Sequence, residues 1–261
     1  IEDFFEDMKA FDVKDLGVVE KFLGFKVEHK TGNGYILSQR TGIESLIKEF
    51  GMEDSKAVAT PTIEADPVDE EGGELLSPQE ATRFRTLAGG LLWITRCTRP
   101  DIAYAVHKMT RRTHAPRVCD LKMGKRILRY LTGTSTYHLK IVKNADSPPL
   151  QLQVYTDADW ASEAKDRKSI NAALTYLNGM LISWTCNRQT AVALSTMESE
   201  FVSAARGVQD ALACLHMVEE LKRRIELPFR LFMDNQAAIT SVMNEASGSK
   251  TKHVDIRHKF I

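Results

Sequence analysis

The sequence has 261 residues, of which 43% are apolar and 27% are charged, and 35 basic and 35 acidic side chains give a formal net charge of zero. A chain of this size can bury a sizeable core, and we expect two domains. No run approaches the roughly 18 apolar residues that a membrane-spanning helix needs, and the acidic N-terminus does not fit a signal peptide. The four cysteines form no CxxC pair, which argues against a disulfide framework or a zinc site and favours a reducing compartment.

Charge is distributed unevenly along the chain. Residues 64–80 carry seven acids and neither Lys nor Arg, together with two prolines and two glycines, a composition typical of a solvated linker. Residues 107–143 carry ten Lys or Arg and a single acid, Asp120. The neutral total therefore conceals a local basic surface, which is either an ordinary solvated helix face or a track for phosphates. The centre of this surface would be formed by Lys122, Lys125, Arg126 and Arg129.

The N-terminal half predicts a β-hairpin followed by helices. Two β-like runs within residues 22–39 flank the turn signal KTGNG. Residues 43–50 have apolar positions at helical spacing, and Thr60-Pro61 follows as a stop before the acidic stretch. Further helices are predicted over residues 78–95, 100–112 and 118–131.

From residue 150 onward the apolar period changes to two. In LQLQVYTD the alternation places Asp157 on the polar face of a strand. Residues 172–177 and 180–184 predict a second hairpin through Asn178-Gly179. A helix of about 29 residues from Thr196, a short strand at 229–233 and a helix after Asp234 follow. This order implies an α/β fold with a mixed sheet and flanking helices, preceded by an α+β N-terminal part.

Three acids stand at chemically informative places: Asp157 in YTDADWA, Glu200 in LSTMESEF and Asp234 in FMDNQAAI. Two end β-like runs and one lies at the start of the long helix, so the three can meet above a sheet. Clustered carboxylates are costly unless divalent cations neutralise them, and such a cluster is expected of two-metal phosphodiester hydrolysis. Taken singly, Asp157 could be a turn former, and Asp234 with Asn235 could be a helix N-cap.

Two glutamates in the long helix, Glu198 and Glu200, are candidates for the acid that the helix contributes to this cluster. Ser195 and Glu198 have capping-box spacing, so Glu198 can accept a hydrogen bond from the backbone N–H of Ser195. On a helical wheel Glu200 lies nearer to the apolar stripe that faces the sheet. Both considerations favour Glu200. We interpret Asp159 and Asp166 as solvated loop acids, and we expect His253 and His258, in the polar tail, to be exposed and not to bind metal.

Several segments, in the same order, resemble the C-terminal part of the Pol polyprotein of copia-type LTR retrotransposons. They include FLGFKVEHKTGNGYILSQ, RFRTLAGGLLWITRCTRPDIAYAV, KRILRYLTGT, YTDADWA, ISWTCNRQ, ALSTMESEF, MDNQAAI and TKHVDIRHKFI. The resemblance covers nearly the whole length. It implies the end of a reverse transcriptase palm with a primer-grip-like hairpin (1–62), an acidic linker (63–80), a helical connection region (81–148) and a ribonuclease H-like domain (149–261).

The resemblance implies hydrolysis of the RNA strand of RNA/DNA hybrids during reverse transcription. Asp157, Glu200 and Asp234 match the family's acids that hold two Mg²⁺ ions, which Mn²⁺ could replace, and contacts to 2′-hydroxyls would select RNA. Phe22 and Gly24 begin the hairpin that positions the primer end. The implied partners are the hybrid and the upstream palm and fingers, in the cytoplasm, the nucleus or a virus-like particle.

Two departures from the family keep a different interpretation open. The Tyr-x-Asp-Asp turn that carries the polymerase carboxylates is absent from the sequence, so we do not expect this chain alone to polymerise DNA. Family members continue past the equivalent of Ile261 into a fifth strand and a further Asp, so we expect the ribonuclease H-like domain to be truncated before that strand. The alternative is a catalytically inactive nucleic-acid-binding or assembly fragment, or a remnant without activity.

Overall fold

The computed structural model of the chain describes residues 6, 8, 11–14, 16–30, 34–62, 73–142, 149–162 and 166–243. The turn of the first predicted hairpin, most of the acidic stretch and the tail with His253 and His258 lie outside these residues. The described residues form two four-stranded sheets with flanking helices, which confirms the predicted α/β class.

The first sheet is antiparallel, in the order β1-β2-β3-β4. Its strands are β1 (Lys21–Phe22), β2 (Phe25–Lys30), β3 (Gly34–Ser38) and β4 (Leu139–Ile141). The β2–β3 pairing confirms the predicted hairpin, and Lys30 lies opposite Gly34. A tighter turn joins β1 to β2 through Leu23 and Gly24, whose φ angles of 47° and 87° are those of a primed hairpin turn. The sequence did not predict β4, which follows the helices and pairs with β3.

Four helices and one 3₁₀ turn lie between β3 and β4 in the described residues 39–62 and 73–138. They are α1 (Arg40–Glu49), α2 (Pro78–Cys97), the 3₁₀ turn (Pro100–Ile102), α3 (Ala103–Thr110) and α4 (Val118–Thr134). Their apolar faces form one core, which includes Ile43, Leu87 and Ile127, each fully buried. The hydroxyl of Ser77 accepts a hydrogen bond from the Glu80 backbone N–H, and the Glu80 carboxylate accepts one from Ser77 N–H at 3.2 Å. Through this capping box Glu80, the last acid of the acidic stretch, belongs to the first turn of α2.

The second sheet is mixed, in the order β7-β6-β5-β8. Its elements are β5 (Leu152–Asp159), β6 (Ile170–Leu177), β7 (Met180–Arg188), α5 (Thr196–Glu220), β8 (Arg230–Phe232) and α6 (Gln236–Met243). The predicted turn at Asn178-Gly179 is confirmed, with φ angles of 49° and 76°. Helix α5 ends four residues before its predicted end, because Ile225 forms a parallel bridge with Leu150 and draws the chain into an extended conformation.

Helix α5 packs closely against β5 because a glycine faces the strand. A methyl group added at Gly207 would overlap the methyl group of Thr156 and lie 3.1 Å from Val154 Cγ1. One turn earlier, the hydroxyl of Ser203 donates a hydrogen bond of 2.7 Å to the backbone carbonyl of Asp157. Small side chains at these two positions therefore fix the distance between the helix and the strand.

A hydrogen bond links the helical region to the second sheet. The indole N–H of Trp184 on β7 donates to the backbone carbonyl of Thr95 on α2 at 2.8 Å.

All four cysteines are free thiols, as their spacing predicted: Cys97, Cys119, Cys186 and Cys214. Among the described helices, none combines the length and the apolar character needed to cross a bilayer.

The contact between α5 and β5 predicts that Gly207→Ala destabilises the protein by about 1–3 kcal/mol, because the added methyl group has no space. The control is Gly89→Ala in α2, where a methyl group would meet nothing within 4 Å and should stabilise the helix by up to about 1 kcal/mol. The free energy of unfolding in urea measures both effects. If Gly207→Ala stabilised the protein as much as Gly89→Ala, the close approach of helix and strand would be wrong.

Candidate functional site

Asp157 lies inside β5, two residues before its end. The burial of β5 alternates, and Leu152, Val154 and Thr156 face α5 while Asp157 is exposed, as the alternation in the sequence predicted. Asp157 pairs with Ala172 in the ladder with β6. It is therefore a strand residue and not a turn former, and its carboxylate projects from the exposed face of a fixed backbone.

Glu200 lies in the second turn of α5 and points toward the sheet. The helix begins after Ser195, whose hydroxyl accepts a hydrogen bond from Glu198 N–H at 3.1 Å. The Glu198 carboxylate accepts from the backbone N–H of Leu194 at 2.7 Å, one residue before its predicted partner Ser195. Glu198 is thus occupied at the helix start, whereas the side chain of Glu200 is buried, with 6% of the residue exposed.

Asp234 reaches the same place from the parallel strand β8. Tyr155 of β5 pairs with Phe232 of β8, so Asp157 and Asp234 each lie two residues beyond this pair. The side-chain oxygen of Asn235 accepts a hydrogen bond from Ala238 N–H at 2.9 Å and caps α6. The helix cap that the sequence left open is therefore Asn235, and the Asp234 side chain is exposed.

The three acids converge. One carboxylate oxygen from each of Asp157, Glu200 and Asp234 lies within 4.8 Å of the others. Burial, followed by the charges of Asp157 and Asp234, raises the pKa of Glu200 to about 7, although a hydrogen bond from Ala158 N–H to Oε1 at 3.3 Å acts in the opposite direction.

The chemistry of this cluster fits a divalent cation. Glu200 Oε2 is buried and finds no hydrogen-bond partner among the described residues, and Asp157 and Asp234 each bring a carboxylate oxygen close to Glu200. Hard oxygen donors of this kind are the ligands that Mg²⁺ and Mn²⁺ prefer, and a cation would remove the mutual repulsion of the three charges. The three residues could therefore hold such an ion.

Sequence reasoning missed the residues that position the acids. Ser203 and Gly207 follow Glu200 at spacings of three and seven residues, which places all three on the helix face toward β5. Both residues are buried, and Ser203 binds the carbonyl of Asp157 itself. The sequence does contain a signal for these residues, because small side chains follow Glu200 at helical spacing. The apolar positions of the helix, taken alone, do not show it.

The predicted nucleic-acid-binding residues are divided between two environments. Lys122 and Lys125 on α4 are exposed. Arg126 instead donates a hydrogen bond to the Thr60 hydroxyl at 3.1 Å, and Arg129 donates one to the carbonyl of Lys56 at 2.7 Å. These two arginines hold the segment after α1 against α4. None of the four belongs to the acidic cluster.

The predicted primer-grip residues lie at the turn between β1 and β2. Phe22 is 54% exposed, and its ring meets Phe25 edge to face with centroids 5.6 Å apart. Gly24 has a positive φ, and a methyl group added there would lie 3.8 Å from the indole nitrogen of Trp93. The turn therefore lies beside α2 and presents an aromatic side chain to solvent.

The fold and site together define an α/β chain with a cluster of strand-end and helix carboxylates, and comparison with known proteins identifies its family. Residues 1–64 match the model of a family described as reverse transcriptase (RNA-dependent DNA polymerase). The chain belongs to the Pol polyprotein family of copia-type retrotransposons. This family assignment confirms the resemblance in the sequence.

Two relatives show how much of such a polyprotein the chain represents. It is 34% identical to the retrovirus-related Pol polyprotein from transposon TNT 1-94 of Nicotiana tabacum, and 33% identical to that from transposon RE1 of Arabidopsis thaliana. Both alignments cover 97% of the chain but only 19% and 17% of the respective relatives. An uncharacterized mitochondrial protein of Arabidopsis thaliana is 35% identical over 77% of the chain and 80% of its own length. No solved structure matches the chain significantly.

The raised pKa of Glu200 predicts how stability depends on pH without metal. Because the folded-state pKa of about 7 exceeds the ordinary value of 4.5, Glu200 contributes stability that is complete below pH 4.5 and is lost as the pH rises through 7. In EDTA, the melting temperature should therefore fall more between pH 5 and pH 8 in the wild type than in Glu200→Gln. Mg²⁺ should reduce the fall in the wild type.

The matched control for this measurement is Glu198→Gln, which removes a carboxylate from the same helix but not from the cluster. It should keep the pH dependence of the wild type. Burial also lowers the pKa of His107 to about 4, with Arg111 and Arg188 acting in the same direction, and this side chain is present in all three proteins, so their difference isolates Glu200. Equal pH dependence in the wild type and Glu200→Gln would contradict the raised pKa.

Proposed function

We propose that the acidic cluster binds divalent cations and hydrolyses the RNA strand of an RNA/DNA hybrid, as the ribonuclease H of a retrotransposon polyprotein. The observation that carries this proposal is the convergence of Asp157, Glu200 and Asp234, whose oxygens lie within 4.8 Å of one another. The cluster occurs in a chain whose relatives are Pol polyproteins. A phosphodiester substrate suits both facts.

Bound Mg²⁺ or Mn²⁺ would supply a Lewis acid that activates a water and stabilises the leaving 3′ oxygen. The chain's own residues have distinct tasks. Asp157 and Asp234 are exposed, so their carboxylates face the solvent from which a substrate approaches. Glu200 is buried and accepts a hydrogen bond from Ala158 N–H through Oε1, which leaves the buried Oε2 as the atom that could bind the ion.

Other parts of the chain would position the nucleic acid. Lys122 and Lys125 are exposed and could contact phosphates, whereas Phe22 and Gly24 would contact the primer end at the β1–β2 turn. The corresponding division is a palm end (1–62), a linker (63–80), a helical connection region (81–148) and the ribonuclease H-like domain (149–261). The polymerase carboxylates would belong to an upstream part of the polyprotein.

The proposal predicts that Asp157→Asn abolishes cleavage of a labelled RNA/DNA hybrid in Mg²⁺. Loss of a metal ligand removes several kcal/mol of transition-state stabilisation, which corresponds to a fall of about a thousand-fold or more. The matched control is Asp159→Asn, two residues along the same strand and outside the cluster, which should retain cleavage. Initial rates on a fluorescent hybrid measure both variants.

The same assay separates the alternative functions. Cleavage that persists in Asp157→Asn and in EDTA would reject the metal-dependent nuclease. A wild-type chain that binds the hybrid with steep salt dependence but never cuts it would favour an inactive nucleic-acid-binding fragment. Neither binding nor cleavage would favour a remnant without activity.

A further inference from the structure

A buried glutamine, Gln189, lies outside the acidic cluster, and the proposed chemistry gives it no task. It directly follows the last residue of β7 and is 5% exposed. Its backbone N–H donates a hydrogen bond of 2.8 Å to the carbonyl of Ser169, which directly precedes β6. Gln189 therefore begins the irregular segment 189–195 that connects β7 to α5, and its backbone is held beside the start of β6.

The side chain of Gln189 bridges the sheet and the helix. Its Nε2 atom donates hydrogen bonds to Oδ1 of Asn171 on β6, at 2.6 Å, and to the backbone carbonyl of Ser199 on α5, at 3.0 Å. A carbonyl can only accept, so the amide nitrogen must face Ser199, and both of its hydrogens are used. Asn171 and Ser199 are themselves buried. The bridge is therefore shielded from water, which would otherwise compete for these groups.

Both partners of Gln189 adjoin the contact that holds Glu200. Ser199 directly precedes Glu200 in the helix. Asn171 pairs with Ala158 in the ladder between β5 and β6, and the Ala158 N–H donates to Glu200 Oε1 at 3.3 Å. One carboxamide thus links the residue before Glu200 to the strand position opposite the donor that Glu200 uses.

The later turns of α5 have contacts of their own with β5. Ser203 donates its hydrogen bond to the strand, and Gly207 allows the close approach. Glu200 lies before both of them, in the part of the helix that follows the irregular segment. Loss of the Gln189 bridge would allow this first part of the helix to shift relative to the strand. Such a shift matters because metal ligands must lie within a narrow range of distances from the ion.

We propose that Gln189 is a positioning residue for the acidic cluster: its carboxamide fixes the place of Glu200 relative to β5 and thereby sets the affinity of the cluster for a divalent cation. The inference rests on the proposed function for the ion, whereas the place of Glu200 is a property of the metal-free chain. If Gln189 only satisfied buried polar groups, its loss would change stability alone. The two roles therefore differ in their effects on ion binding and on the hydrogen bond between Ala158 and Glu200.

The first test is the binding of Mn²⁺ to the full chain, measured by titration calorimetry. Gln189→Met keeps the length of the side chain but removes both donor hydrogens, and it should weaken binding about tenfold, as expected when a group that orients a ligand is lost. The matched control is Gln39→Met, since Gln39 is also buried and its Oε1 accepts a hydrogen bond of 2.7 Å from the Thr98 hydroxyl. This control should lower the melting temperature to a similar extent and leave the affinity unchanged.

The second test needs no metal. In EDTA, hydrogen exchange of the Ala158 amide, followed by NMR, reports the hydrogen bond to Glu200. Gln189→Met should speed this exchange up to about tenfold relative to the other amides of β5, and Gln39→Met should not. Asn171→Ala removes one of the two acceptors, so it should have a smaller effect in the same direction. This milder variant decides the question if Gln189→Met does not fold.

The outcomes separate the positioning role from the proposed nuclease. Unchanged exchange at Ala158 in Gln189→Met would overturn the positioning role, as would an unchanged affinity in a chain that binds Mn²⁺. If the wild type bound no Mn²⁺ while the exchange still responded to Gln189→Met, the positioning of Glu200 would stand and the metal site would be rejected. In a chain that cuts the hybrid, a raised Mn²⁺ concentration should restore most of the wild-type rate to Gln189→Met, and a rate that stayed low would contradict the inference.

Discussion

The close packing of α5 on β5 is the constraint on which the candidate site depends. Gly207 allows the helix axis to approach the strand, and Ser203 ties it to the carbonyl of Asp157. Glu200 lies on the same helix face, so the packing that buries Val154 also carries a carboxylate to the exposed end of β5. The Glu200 carboxylate is thereby taken out of water and held beside the carboxylates of Asp157 and Asp234. The raised pKa of Glu200 reflects the free-energy cost of burying its charge next to these two.

Parallel pairing of β8 with β5 supplies the third acid. Tyr155 and Phe232 are paired across the two strands, and their rings stack with centroids 4.6 Å apart. This register brings Asp234 level with Asp157, while Asn235 takes over the capping of α6. A shift of one residue would turn Asp234 to the other side of the sheet. The geometry of the site therefore depends on the distance between α5 and β5 and on the register between β5 and β8. Both are set by residues that would not contact the metal.

The sequence predicted what depends on local pattern. Alternation in LQLQVYTD placed Asp157 on the exposed face, and Asn178-Gly179 marked the turn between β6 and β7. Contacts between distant segments were not predictable in this way. Arg126 and Arg129 have the spacing of a basic helix face, yet both bind the segment after α1, where Arg126 donates to the Thr60 hydroxyl and Arg129 to the Lys56 carbonyl. The predicted end of α5 was too late because it also depends on a contact between distant segments. The bridge from Ile225 to Leu150 cannot be recognised from the spacing of apolar residues in the helix.

The most direct test of the central claim is the position of a divalent ion in crystals of the protein grown or soaked with Mn²⁺, located by anomalous scattering. A peak is expected at roughly 2 Å from one carboxylate oxygen each of Asp157, Glu200 and Asp234. Well-ordered carboxylates that lie apart, or manganese bound only at other surfaces of the molecule, would rule out a metal site formed by these three acids.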